Sequence, residues 1–200
     1  MPAAESPAVA DLPALVTQAT AETSRVLVPL ADRDWEVRAG DLDWSCRTTA
    51  VHVADDLFSY ASQVIAQPEG GYLPVEIAAD DSATPRDLIR AVVMCGELLR
   101  LAAAAADPGA RGWHPSGSSD GPGFAAMGVC EVLAHTWDIA QGLGVTWTPP
   151  AALCAPVLER IFPDAPGGDP SAVFLWCTGR SALGYRDRQT SWSWDSRIRG

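Results

Sequence analysis

The sequence predicts an all-α protein: an antiparallel four-helix bundle carrying a short C-terminal extension, part helical and part irregular. Three observations carry this reading. Four long segments repeat apolar residues at the three-and-four spacing of one helix face. Stretches rich in Gly, Pro, Asp and Ser separate them. The run with extended character, "YLPVEI" at residues 72–77, is interrupted by a proline, which cannot donate to a sheet ladder. At 200 residues, 48% hydrophobic and 20% charged, the chain can fill one core of ordinary size, and four amphipathic helices bury their stripes best against one another.

The elements follow in order. Residues 8–31, "AVADLPALVTQATAETSRVLVPLA", are periodic and lack Gly, with Pro13 in the first turn where its missing N–H is harmless; they make the first helix. Residues 32–47 form a polar connection containing Trp35 and Trp44, after which Thr48 or Thr49 offers an N-cap to the second helix, "AVHVADDLFSYASQVIA"; Ser45, like them, reads as a cap rather than a nucleophile. "QPEGGYLPVEIAADDSATP" reads as a long loop. Thr84 then caps, and Pro85 opens, a third helix running to Ala106. "DPGARGWHPSGSSDGPG" is a second loop, of a length that goes with function or mobility. The fourth helix runs from Phe124 to about Gly142, with Gly142 or Gly144 as its stop. Residues 151–162 and "PSAVFLWCTGRSAL" read as shorter helices before a Trp-rich tail. The expected organisation is a helical bundle over residues 1–145 and an extension over 146–200 packed on it.

Composition excludes several classes. Against 14 basic residues stand 25 acidic ones, a net charge of −11, and no Lys/Arg cluster breaks the acidic background, so neither nucleic acid nor an anionic membrane is an expected partner. Cys46, Cys95, Cys130, Cys154 and Cys177 are scattered and never form a C-x-x-C pair, which points to free thiols in a reducing compartment. The acidic N-terminus lacks the marks of a signal peptide, and "LLRLAAAAA" is far too short to span a bilayer. A cytoplasmic protein is expected.

The chemistry concentrates in "GVCEVLAHTWDIAQGLG", residues 128–144. Steps of four and three place Glu131, His135 and Asp138 on one face of an otherwise apolar helix. Burying such groups unpartnered costs several kcal/mol, so something must compensate them. In the second helix His52 precedes Asp55 and Asp56 by three and four residues. Facing helices of a bundle converge side chains in the core, so His52, Glu131 and His135 read as a two-histidine, one-carboxylate metal site, with open positions of the catalytic kind. Asp138, Asp55 and Asp56 are placed to orient the imidazoles. The ordinary alternative is a pair of solvated helix faces; the apolar neighbours Val132, Leu133, Ala134 and Trp137, and Val51, Val53 and Leu57, favour the buried site. His114, in the loop before the fourth helix, is a candidate acid or base, or a lid over substrate, although a loop histidine is more often a surface residue. Arg180 can bind a substrate carboxylate, but a structural salt bridge is the better reading. Trp44, Trp113 and Trp137 are candidates for an apolar wall.

Three segments, "LDWSCRTTAVHVADDLFSYASQV", "GWHPSG...GFAAMGVCEVLAHTWDIAQGLG" and "LERIFPDAP...VFLWCTGRSALGYRDR...WSWD", closely resemble actinobacterial members of the mycothiol-dependent maleylpyruvate isomerase N-terminal domain family, within the DinB-like superfamily. The resemblance implies a four-helix bundle whose metal, usually zinc, is held by His52, Glu131 and His135. It also implies a low-molecular-weight thiol such as mycothiol as co-substrate, an electrophilic small molecule as substrate, and transferase or isomerase chemistry with a metal-bound thiolate as nucleophile. The isomerase has a further C-terminal domain that helps hold mycothiol; here "CTGRSALGYRDR" and "WSWD" are expected to pack across the bundle mouth instead. Two other functions fit the same residues: a non-catalytic binding or sequestering protein, and a specialised-metabolism enzyme that uses the pocket without a thiol.

Overall fold

The computed structural model describes residues 11–198. Among these residues six α-helices follow one another: α1 (Leu12–Leu27), α2 (Cys46–Ala66), α3 (Pro85–Ala105), α4 (Gly121–Gly142), α5 (Ala151–Ile161) and α6 (Pro170–Cys177). Among the described residues the only strand-like pairings are isolated bridges in loops. The first four helices make the predicted bundle: α1 packs on α3 and α4, α2 packs on the same two from the other side, and α3 touches α4 between them. In addition, α5 lies on α4, and α6 on α5.

Local chemistry explains where each helix begins and ends. Residues 8–10 of the first expected helix lie outside the described residues; from Asp11, which caps the N–H of Ala14, the periodic run holds to Leu27. Pro29 lacks the N–H that would continue the α pattern, so Val28–Leu30 tightens into a 3₁₀ turn. The cap of α2 is Ser45 rather than Thr48 or Thr49: its Oγ accepts the N–H of Thr48 at 3.1 Å, and Thr49 instead donates to the Ser45 carbonyl at 2.8 Å from within the first turn. α3 starts as expected, with Thr84 and Asp87 exchanging side-chain and backbone hydrogen bonds as a capping box. α4 starts three residues before Phe124. Asp120 accepts the N–H of Gly123 at 2.8 Å and Pro122 sits in the first turn, so "SDGPG", read as loop, contains a cap. Its stop is Gly144, whose positive φ of 74° lets Val145 N–H reach back to the Ala140 carbonyl at 2.8 Å.

α4 is the axis of the molecule. Every residue from Phe124 to Thr136 is buried, as required of a helix covered by α1, α2, α3 and α5. A buried bond of 2.7 Å between Thr23 and Thr136 ties it to α1. The two long loops are pinned rather than free. Arg47 donates to the carbonyls of Asp80 and Ala83, and Asp55 accepts the N–H of Ile77 at 2.6 Å, holding the loop after α2 along that helix. The tail is stitched to the loop before α4 by Ser119 donating to the Ser196 carbonyl at 2.7 Å and by Ser196 donating to the Gly117 carbonyl at 2.5 Å.

Candidate metal centre

Because α2 and α4 pack against each other, His52 and His135 meet, their ring centroids 5.1 Å apart and nearly perpendicular. Glu131, one turn before His135, brings Oε2 to 3.1 Å from His135 Nε2. One ligand atom from each of His52, Glu131 and His135 lies within 4.8 Å of the others, a spacing that suits a shared cation. Glu131 and His135 are buried and His52 is half-buried, so the group sits at the edge of the core with its His52 side toward solvent.

Carboxylates beside both histidines orient their rings. Asp138 Oδ2 stands 2.9 Å from His135 Nδ1, which makes Nδ1 the protonated nitrogen and leaves Nε2 facing Glu131. Asp56 approaches His52 Nε2 at 3.1 Å, whereas Asp55, the other candidate for that task, is spent on the loop. Trp44 stands edge-on to His52 at 4.7 Å between centroids, from an exposed position on the connection before α2.

The electrostatics show a site short of positive charge. Burial works against a charged His135, yet Asp138 and Glu131 outweigh it and lift the imidazole to about 9. Burial would likewise raise Glu131 and Asp138. Instead the hydrogen bonds to His135, joined at Asp138 by Arg180, hold both carboxyls below the usual range. Asp56, desolvated and facing the Glu131 charge, is pushed up to about 8. His52 is lowered, by burial first and by the nearby His135 second. Converging carboxylates that force a buried histidine to stay cationic are what a divalent ion would relieve, so the donor set fits such an ion.

Arg180 pairs with Asp138 through Nη2 at 2.7 Å, the structural reading of that residue. His114 corrects its reading as a surface residue: it is buried, and its Nδ1 accepts the N–H of Ser116 at 3.0 Å. Tyr60, Phe124 and Trp194 surround its ring. Burial, only partly offset by the Glu131 charge, lowers it to about 4. Folding therefore disfavours the imidazolium: the full stability is present above pH 6.5, the ordinary value, and is lost as pH falls toward about 4. Urea denaturation across that window is expected to show a falling midpoint. His114→Asn, whose amide oxygen can accept the same N–H, should lose that part of the slope.

Sequence reasoning missed the partner of Arg180, which lies 42 residues from Asp138. It also missed the groove of about 430 Å³ beside Asp56, walled by Ser59, Tyr72, Leu73, Pro74 and Glu76. Tyr72 was legible only as part of an irregular loop. No helix among the described residues is long and apolar enough to cross a membrane. The model of the mycothiol maleylpyruvate isomerase N-terminal domain matches residues 16–140, well over half of the chain. No curated protein and no solved structure matches it. The match begins within α1, runs through α2 and α3 and extends along α4 past Glu131 and His135 to Ala140, and the chain belongs to the mycothiol maleylpyruvate isomerase N-terminal domain family.

Proposed function

We propose that this protein is a cytoplasmic, divalent-metal-dependent enzyme of low-molecular-weight thiol chemistry, transferring a mycothiol-type thiol to an electrophile or using it to assist an isomerisation. His52, Glu131 and His135 would hold the metal, most simply zinc, in a bundle spanning residues 1–145, with 146–200 as an extension packed on it. The observation that carries the reading is the convergence of three donor atoms within 4.8 Å, one from α2 and two from α4. Three protein donors serve an ion that takes four, which leaves room for a small molecule. Such an ion supplies Lewis acidity that favours the thiolate over the thiol at neutral pH.

The chain's own residues do the rest. Asp138 holds the proton on His135 Nδ1, so that Nε2 keeps its lone pair for the site. The groove of about 430 Å³ beside Asp56, the residue that approaches His52, has room for a small electrophile, with Tyr72 as one wall. In a transfer, the thiol sulfur forms a bond to the electrophilic carbon, the leaving group departs with its electron pair, and the thiol proton passes to solvent.

Mycothiol consumption with an activated aryl halide tests this. The expected result is turnover that chelation abolishes and zinc restores. In Glu131→Gln it should fall by at least the ~10–100-fold that loss of an outer partner of a metal ligand costs. Unchanged rates in Glu131→Gln would overturn the mechanism. Stoichiometric binding of metal and thiol without turnover would mark a sequestering protein, and turnover that needs no thiol a thiol-free enzyme.

A further inference from the structure

We infer that Arg180, from the segment beyond the family match, is a positioning residue for the metal centre, acting through Asp138 on His135. The inference rests on the metal reading above. Helix α6 closes with Gly179 at a φ of 69°, and Arg180 N–H reaches back to the Leu175 carbonyl at 2.7 Å while Gly179 N–H reaches the Trp176 carbonyl at 3.0 Å. A Cβ at Gly179 would sit 2.8 Å from Trp192 and 3.0 Å from the Gln189 carbonyl, so both the turn and the packing require glycine. This "TGR" turn directs the Arg180 side chain inward toward α4.

There its guanidinium grips both oxygens of one carboxylate. Nη2 donates to Asp138 Oδ2 at 2.7 Å and Nε to Oδ1 at 3.3 Å, while the same Oδ2 receives His135 Nδ1 at 2.9 Å. The remaining faces of the arginine are also occupied: Nη1 donates to the Thr178 carbonyl at 2.7 Å, and Trp192 lies under the guanidinium at 5.4 Å. All three side chains are at least nine-tenths buried. A two-pronged grip fixes the carboxylate plane as well as its position, which a point charge cannot do. Fold stability alone explains this pair poorly, since buried ion pairs can often be replaced by apolar residues at no loss. Orientation of a ligating imidazole explains why the carboxylate is shared between Arg180 and His135.

The test compares Arg180→Met and Arg180→Lys with Phe174→Leu, which loosens the core under α6 but keeps Arg180. Zinc affinity is read by chelator competition, and the His135 Nδ1–H resonance of the zinc-loaded protein by NMR. Arg180→Met is expected to weaken zinc by the ~10–100-fold typical of lost outer partners and to broaden the Nδ1–H signal by faster exchange. Arg180→Lys should recover part of the affinity, and Phe174→Leu should lower thermal stability without changing zinc affinity. Wild-type zinc binding with Arg180→Met indistinguishable from wild type, or no weaker than Phe174→Leu, would overturn this inference alone. A wild-type protein that takes up no zinc would overturn both this and the metal reading.

Discussion

His135→Ala is expected to purify folded but without stoichiometric metal, and to show no thiol-dependent turnover. The fold should survive because alanine is the best helix former, and Asp138 keeps Arg180 as its buried partner at 2.7 Å when the imidazole goes. The site should not survive. His135 contributes one of three donors and is the group against which Glu131 is held ionised; without it Glu131 is a buried carboxylate facing only His52 among the histidines. The affinity loss should exceed the ~10–100-fold attributed to an outer partner, because one of the three proposed ligands is itself removed. Elemental analysis of wild type, His135→Ala and His52→Ala checks this. Wild type without metal, or both variants carrying as much as wild type, would remove the site assignment.

Much of this site was legible because helices convert sequence spacing into spatial spacing. Glu131 and His135 share a face by virtue of a four-residue step, and His52 lies on a periodic segment that had to face the core; the bundle then left few ways to arrange them. Contacts that depend on loops escaped. His114 looked like a surface residue because "GWHPSGSSDG" has the composition of an exposed loop, yet the tail folds over it and Ser196 comes within 3.5 Å of its Nδ1. Ser45, not a threonine, caps α2, since three hydroxyl residues in a five-residue stretch compete and only backbone geometry chooses among them. Asp120 was hidden by the glycines on either side of Pro122. Arg180 was hidden by distance along the chain: nothing local says that a turn at Gly179 returns to α4.

Gly142→Ala is expected to destabilise the protein and lower its zinc affinity together, although the substitution improves helix propensity. In an exposed helix the change gains about 1 kcal/mol. Here the added Cβ would stand 2.2 Å from the Arg38 carbonyl oxygen, 2.9 Å from Cys46 Sγ and 3.0 Å from Ala39 Cα. Two of those three atoms are backbone, so no rotamer change relieves them, and overpacking of this sort costs about 1–3 kcal/mol or more. With two backbone clashes the cost falls in the upper part of that range and exceeds the gain, and a net loss of about 2 kcal/mol should lower the melting temperature by roughly 4–8 °C for a chain of this size. The direction of the shift matters more than its size. Arg38 and Ala39 belong to the connection that leads into α2, where Val37 accepts the N–H of Cys46 and Trp35 that of Arg47. Pushing that connection off the last turn of α4 moves the start of α2, and His52 stands less than two turns further on. The two halves of the donor set would separate, so zinc affinity should fall in Gly142→Ala. At Gly128, by contrast, an added Cβ meets only the flexible ends of Leu99 and Leu57, and Gly128→Ala should leave zinc affinity closer to wild type at a comparable loss of thermal stability. Melting curves and zinc competition on the two variants separate a general packing defect from one that opens the site; equal zinc affinities in both would show that the approach to α2 does not set the position of His52.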